Sequence, residues 1–488
     1  MTEQHPDLLI RNAMLCDGLG NVPRRGDLAV RDDCIVALGD CGGLRASVEF
    51  DAGGRALAPG FIDVHTHDDR ALKVNPLMCN KISQGVTTVV VGNCGISLAP
   101  LSLDRRPPPP LDLVGEAPDD YLADFGHYLD ALDADPPSVN ALCQVGHSTL
   151  RVGAMDTLDR PATSAELGIM RERLERALDA GAIGLSTGLF YPPANAAPTE
   201  EVIELVRTLR PHGALHTTHM RDEADQVAES LEETFAIGRA ADVPVIISHH
   251  KCAGVANHGR SRETLALIDA ARSRQRLGLD VYPYVAASTM LDPRRMKGAT
   301  RVLVAWSRPH PECAGRDLTD IAADWQVTEQ AAADRLQPAG AIYFMMDEAD
   351  VQRILAYPHT MIGSDGLPHD AHPHPRLWGT FPRVLGHYVR EVGLFPLEEA
   401  VRKMTGLPAA RFGLTDRGVL RPGACADLVL FDPDRVADRA TFEQPATPAA
   451  GIDQVFVNGR CVWRDGVATG ERPGRVLRRQ QLGPFGGP

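Results

Sequence analysis

The run Pro59-Gly60-Phe61-Ile62-Asp63-Val64-His65-Thr66-His67 is largely apolar until it delivers two histidines two positions apart. In an extended chain such residues share a face, so both imidazoles can reach one metal ion. By itself the pair is as compatible with two surface histidines. Four later runs end in a comparable way. Thr87-Thr88-Val89-Val90-Val91-Gly92-Asn93-Cys94 ends in a thiol, and Gly92 and Gly95 thin the backbone as if something approaches closely. Leu215-His216-Thr217-Thr218-His219 ends in an imidazole, residues 244–248 lead into His249, and Met361-Ile362-Gly363-Ser364-Asp365 ends in a carboxylate. Singly, each is more often a packed residue. Together they make a set of six donors. Cysteine with two histidines suits zinc and leaves a coordination position for water. Zinc lowers the pKa of a bound water from about 15.7 to near 7. A carboxylate beside that water can take its proton and return it to a leaving group. The chemistry implied is metal-assisted hydrolysis.

The elements that must position these donors alternate. Thr163-x-x-Glu166 is a capping box, followed by Leu167, Met170, Leu174 and Leu178 at helical spacing, with Gly181 as the stop. A strand at Ala182-Ile183-Gly184-Leu185 comes next, then a helix from Thr199 that stops at Pro211. The His219 strand, a helix over 222–241 and strands over 244–248, 277–282, 341–346 and 360–363 complete the series, with a helix over 347–356 between the last two. Repeated strand–helix alternation means a parallel sheet, and this number of units suits a (β/α)₈ TIM-like barrel, whose chemistry sits at the C-terminal strand ends. A doubly wound open sheet is the alternative, but no Gly-x-Gly-x-x-Gly marks a first strand–helix turn. Residues near 289–340 break the rhythm and read as an insertion. Short strands with turn residues occupy both chain ends, so residues 1–58 and 415–488 are expected to pair into one small β domain beside a barrel over 59–414. Alternation turns His250 away from the face of His249. His147 reads as strand-end packing.

At 488 residues the chain is long enough for such a barrel and a second, smaller unit. Lys+Arg total 50 against 64 Asp+Glu, a net charge of −14, which argues against nucleic-acid or anionic-membrane partners. No stretch approaches ~20 apolar residues, and residues 1–12 do not read as a secretory leader. Ten scattered cysteines without Cys-x-x-Cys pairs read as reduced thiols in a cytoplasmic protein.

Pro59–His67, Gly92-Asn93-Cys94-Gly95, Thr218-His219-Met220-Arg221, Ser248-His249-His250-Lys251 and Gly363-Ser364-Asp365-Gly366 resemble the amidohydrolase superfamily, and within it the N-acyl-D-amino-acid deacylase branch. The resemblance covers essentially the whole chain, including Gly184–Leu189, Tyr282-Pro283-Tyr284 and His374–Phe381. It implies a barrel with a small β domain that hydrolyses N-acyl-D-amino acids to a carboxylate and a free D-amino acid. Many superfamily members bridge two metals with a carboxylated lysine, and the Ala182–Leu189 strand holds none. The resemblance instead implies a tight zinc on Cys94, His219 and His249. His65, His67 and Asp365 then form a second, weaker metal site, with Asp365 also the general base and acid.

For the substrate carboxylate the resemblance points to Arg376, whose planar fork suits bidentate pairing, and to Lys251, Tyr282 and Ser288. Phe190, Tyr191, Tyr343 and Met346 match positions lining the side-chain pocket, which implies a preference for hydrophobic D-amino acids. A branch specialised for acidic side chains, N-acyl-D-glutamate or N-acyl-D-aspartate, needs an extra cation, and Arg294 and Arg295 in the insertion could reach. Two other readings stand beside this one. A cyclic-amide hydrolase or deaminase would use the same metal scaffold, but Arg376 with Lys251 favours a free carboxylate. A non-catalytic scaffold would be expected to have lost donors, and all six are present.

Overall fold

The computed structural model describes residues 5–485. Eight strands form the barrel: Phe61–Asp63, Val86–Val91, Asn140–Cys143 continued by Val145–Gly146, Gly184–Gly188, Leu215–His219, Val245–Ile247, Leu277–Val281 and Thr360–Ile362. Neighbours pair in parallel, for example Gly188 against His219 and Ile247 against Leu279. Past its last strand the ring closes on its first. Thr66 bridges Gly366 in parallel, and Asp365 N–H donates to the His65 carbonyl at 2.7 Å.

Period-two alternation sorts the strand residues into two sets. Ile62, Val90, Leu142, Leu215, Ile246 and Met361 face inward and pack on Phe412, Leu414, Leu477 and Phe485, which plug the N-terminal end. Phe61, Val89, Val91, Leu185, Val245, Leu279 and Ile362 belong to the larger cluster with Leu174, Leu178, Leu231 and Phe235 of the surrounding helices. Above the apolar plug the interior turns polar. Thr217 donates to Gln144 at 3.0 Å, and Gln144 donates to Asn93 at 3.1 Å. This polar layer is the floor of the site.

The helix Ser164–Ala180 carries the expected capping box, with Glu166 N–H on the Thr163 hydroxyl at 3.3 Å and Gly181 at φ 122° ending it. The helix expected over 222–241 starts only at Val227. The Asp222 carboxylate accepts from the backbone of Ala224 and Gln226, which turns the chain before the helix begins. The strand expected over 341–346 is Ala339–Phe344 and lies outside the barrel. It is the centre of a three-stranded antiparallel sheet with Ala286–Met290 and Arg301–Ser307. Sequence spacing alone does not distinguish a barrel strand from an inserted one.

The chain ends meet in one sheet. Leu428–Phe431 pairs antiparallel with Ala56–Pro59, joining the N-terminal strands Leu8–Leu15, Arg24–Arg31, Cys34–Gly39 and Val48–Asp51 to Ile452–Val457 and Arg460–Arg464. Beyond that sheet the chain returns to the barrel, where Leu477 N–H donates to Ala141 at 2.9 Å. Among the described residues no helix is long and apolar enough to cross a membrane.

Candidate active site

Five strand ends bring the six donors together. Cys94 Sγ lies 3.3 Å from Nε2 of both His65 and His249. Asp365 Oδ1 lies 3.2 Å from His67 Nε2 and 3.5 Å from His65 Nε2. The ligand atoms of His65, Cys94, His249 and Asp365 fall within 4.8 Å of one another, as do those of His219, Glu223 and His249. His249 belongs to both groups. All of these side chains are buried.

Their placement is held against local preference. Cys94, His249 and Asp365 have φ values of 53°, 35° and 50°, in the left-handed region that L residues seldom occupy. Such conformations cost on the order of 1–3 kcal/mol each and persist where the surroundings over-determine them. At Cys94 the surroundings are neighbouring backbone. A Cβ at Gly92 would stand 2.2 Å from the Gln144 carbonyl, and one at Gly188 would stand 2.1 Å from the Cys94 carbonyl. The close approach that Gly92 and Gly95 permit is therefore of adjacent strands, not of a ligand.

Electrostatics fit a metal cation. Burial opposes ionisation of Cys94, yet the His65 and His249 imidazoles outweigh it and hold the thiol well below its usual range. Burial likewise opposes ionisation of Asp365, and Arg376 with His249 keeps the carboxyl well below normal. For Glu223 the same burial is outweighed by Lys251, His219 and His249. Three buried anions need nearby positive charge. His67 and His249 are pushed up to about 9 despite burial, by Asp365 and Cys94 in the first case and by Glu223 and Cys94 in the second. A bound dication would supply the charge these imidazoles otherwise carry. The donor set of thiolate, imidazole and carboxylate suits zinc.

Glu223 and Asp280 were not singled out from the sequence. Glu223 sits four residues after His219, Oε2 to Nε2 3.4 Å, and its Oε1 meets His249 Nδ1 at 3.0 Å. The His-x-x-x-Glu spacing beyond a strand end was the available signal. Asp280, the penultimate residue of the seventh strand, accepts from the His249 backbone at 2.9 Å and lies 3.5 Å from His65 Nδ1. Such contacts fix ring orientation. Beneath them Lys81 donates to Asp63 at 2.7 Å, Ser364 at 2.9 Å and Thr66 at 3.0 Å, and lies 3.1 Å from Asp68.

A cavity of about 20 Å³, the size of one water, is lined by His67, Cys94, His219, His249 and Asp365. Tyr191, Tyr282, Ser288, Lys251 and Arg295 line it too. Tyr282 keeps a buried hydroxyl without a hydrogen-bond partner among the described residues. Arg376 pairs with Asp365 at 2.9 Å, lies over the Tyr282 ring and donates to the Ser288 carbonyl at 3.2 Å. Lys251 is engaged by Glu223 at 2.6 Å and His249 at 2.7 Å. Tyr191 bonds Thr289 at 3.0 Å.

The other residues expected at the side-chain pocket are less central. Phe190 borders two outer cavities of about 460 and 240 Å³. Tyr343 spends its hydroxyl on the backbone of Asp292 and Met290, and Met346 lines a separate small cavity behind Lys251 and Tyr282. Neither lines the central cavity. His250 faces away, bonding Thr264 at 2.9 Å, and His147 packs against Glu201 at 3.2 Å.

A D-aminoacylase of Alcaligenes xylosoxydans xylosoxydans is 58% identical over 97% of this chain and 98% of its own length. An N-acyl-D-aspartate deacylase of the same organism is 55% identical, covering 96% of this chain and 95% of the relative. The crystal structure of an N-acyl-D-glutamate deacylase from Bordetella bronchiseptica is complexed with zinc and a phosphonate mimic of the tetrahedral intermediate. It superposes with a TM-score of 0.94 at 50% identity, over 97% of this chain and all of that one. The model of the amidohydrolase family matches residues 48–250 and 319–463. The chain belongs to the amidohydrolase family.

Proposed function

We propose that the protein hydrolyses the amide bond of N-acyl-D-amino acids, releasing a carboxylate and a free D-amino acid. The observation that carries this reading is the meeting of six donors from five strand ends beside a cation, Arg376, and a hydroxyl, that of Tyr282, with no hydrogen-bond partner among the described residues. The first group suits water activation; the second suits a free substrate carboxylate. That pairing favours a linear acyl-amino acid over a cyclic amide.

Cys94, His219 and His249 would hold a tight zinc, and His65, His67 and Asp365 a weaker second metal. When bound, zinc supplies a Lewis acid that eases deprotonation of water near neutral pH. The remaining work falls to side chains. Asp365, held ionised by Arg376, accepts the proton of the attacking water through the carboxylate oxygen facing His67. It then passes that proton to the departing nitrogen, which leaves as the amine of the D-amino acid. Arg376, Tyr282 and Ser288 orient the substrate carboxylate. Asp280 and Glu223 keep the His65, His219 and His249 rings in place.

The test is a paired assay of acetyl-D- and acetyl-L-amino acids and a hydantoin on protein of measured zinc content. Turnover of the D-enantiomer alone supports the reading. Preference for the hydantoin, or zinc far below one per chain in active protein, would overturn it.

A further inference from the structure

Cys34 and Cys425 stand directly opposite each other in an isolated antiparallel bridge within the small β domain. Ile35 N–H donates to the Ala424 carbonyl at 2.8 Å, and Ala426 N–H to the Asp33 carbonyl at 2.7 Å. These two bonds bracket the cysteines and make them a non-hydrogen-bonded pair. In such pairs the Cα atoms stand about 4.5 Å apart and the side chains lean together. A disulfide spans Cα separations of about 4.4–6.8 Å, so the backbone already meets its requirement. Opposite residues share one face of a sheet. Ile35, Ala424 and Ala426 belong to the apolar cluster of this domain, which turns both thiols to the other face. Each cysteine is half-buried. The Cys34 thiol donates to Asp33 Oδ1 at 3.4 Å, and that of Cys425 to Asp416 Oδ2 at 3.2 Å. Among the described residues no other two cysteines face each other across a strand pairing.

We propose that Cys34 and Cys425 are a modification site, a cross-strand thiol pair that closes to a disulfide by exchange with a small-molecule disulfide of the glutathione class and so fastens the two chain ends together. One cysteine, as thiolate, attacks the S–S bond of the reagent and expels one glutathione thiolate. The other attacks the resulting mixed disulfide, forms the Cys34–Cys425 bond and expels the second. The protein gives up two protons and two electrons, and the reagent is reduced to two thiols. Burial raises both cysteines, Cys425 to about 12, against the pull of Arg475 on the first and Arg417 on the second. They rest protonated, and the pair stays open until an oxidant is supplied. Once formed, the bond joins the strand Cys34–Gly39 to the segment that leads into Leu428–Phe431. Closing so long a loop restricts the unfolded chain and stabilises the fold. The uniformly reduced thiols expected from the sequence thus include one pair placed to oxidise.

The experiment incubates zinc-loaded full-length protein with oxidised glutathione at mildly alkaline pH. Remaining thiols are then alkylated in denaturant and the tryptic peptides mapped without reduction. Alkylation of Cys34 and Cys425 should fall together by ~10-fold or more, with a cross-linked peptide joining them, and dithiothreitol should reverse both changes. The oxidised protein should unfold at a higher urea concentration than the reduced one. Cys34→Ser and Cys425→Ser should each abolish the cross-link and the gain in urea resistance. Absence of the cross-linked peptide, with the two thiols still alkylated or carrying only glutathione, overturns the proposal. A bond from either cysteine to a different thiol overturns it equally. An oxidised form no more resistant to urea than the reduced one refutes the fastening of the chain ends.

Discussion

Nη1 of Arg376 stands 2.9 Å from Oδ2 of Asp365, while Oδ1 of the same carboxylate faces Nε2 of His67 at 3.2 Å. One oxygen is neutralised by a fixed cation and the other is turned toward the metal donors. The arrangement lets a carboxylate stay ionised in a buried site, where desolvation alone would protonate it. It also places the cation proposed for the substrate carboxylate next to the base.

Asp365→Asn removes the proton acceptor while preserving shape. The expected loss in kcat is on the order of 10²–10⁴-fold. Zinc content, read by plasma mass spectrometry, should stay near wild type because Cys94, His219 and His249 are intact. Near-normal turnover would refute the role given to Asp365.

Arg376→Lys keeps the charge and removes the fork. A point charge cannot satisfy both Asp365 and a substrate carboxylate, so KM should rise by ~10–100-fold with a smaller effect on kcat. Steady-state kinetics on acetyl-D-amino acids read this directly. An unchanged KM would place the carboxylate site elsewhere.

Cys94→Ala should abolish tight zinc binding. The sulfur lies 3.3 Å from two imidazoles and is the only thiol in the cluster among the described residues. Equilibrium dialysis against a chelator should show stoichiometry falling well below that of the wild type. Full retention would make Cys94 a packing residue.

Lys81→Met should be strongly destabilising. Its buried ammonium serves Asp63 and Asp68 at once and ties the first strand end to Ser364 beside Asp365. Removing it strands two buried carboxylates, a loss of ~3–5 kcal/mol. Urea denaturation at neutral pH measures this, and a midpoint unchanged from wild type would contradict it.

Glu201 offers a pH-dependent test away from the site. Burial opposes its ionisation, but His147 and Arg151 and the Ala162 backbone outweigh that and lower its pKa to about 2. A carboxyl depressed in the folded state adds stability that is fully present above its unfolded value of about 4.3 and lost as pH falls toward 2. Glu201→Gln should therefore be less stable than wild type at pH 7 by on the order of 2–3 kcal/mol. The gap should narrow as pH falls from 4.5 toward 2. A gap independent of pH would show that shape, not charge, sets the contribution.

Much of the site was legible in the chain itself. Donor type is a property of single residues, and strand periodicity is local, so His65, His67, Cys94, His219, His249 and Asp365 could be placed at strand ends without coordinates. The capping box at Thr163 and the pairing of the two chain ends follow from equally short patterns. What only the tertiary structure decided are relations across long separations. Lys81 reaches Ser364 across 283 positions only because the barrel closes. Glu223 is drawn between His219, His249 and Lys251 by the turn before a helix that starts late. Tyr343 and Met346 fall outside the lining of the central cavity, while Arg295 lies on Phe190. Ion pairing and cavity lining depend on distances through space, and no period in the sequence encodes those.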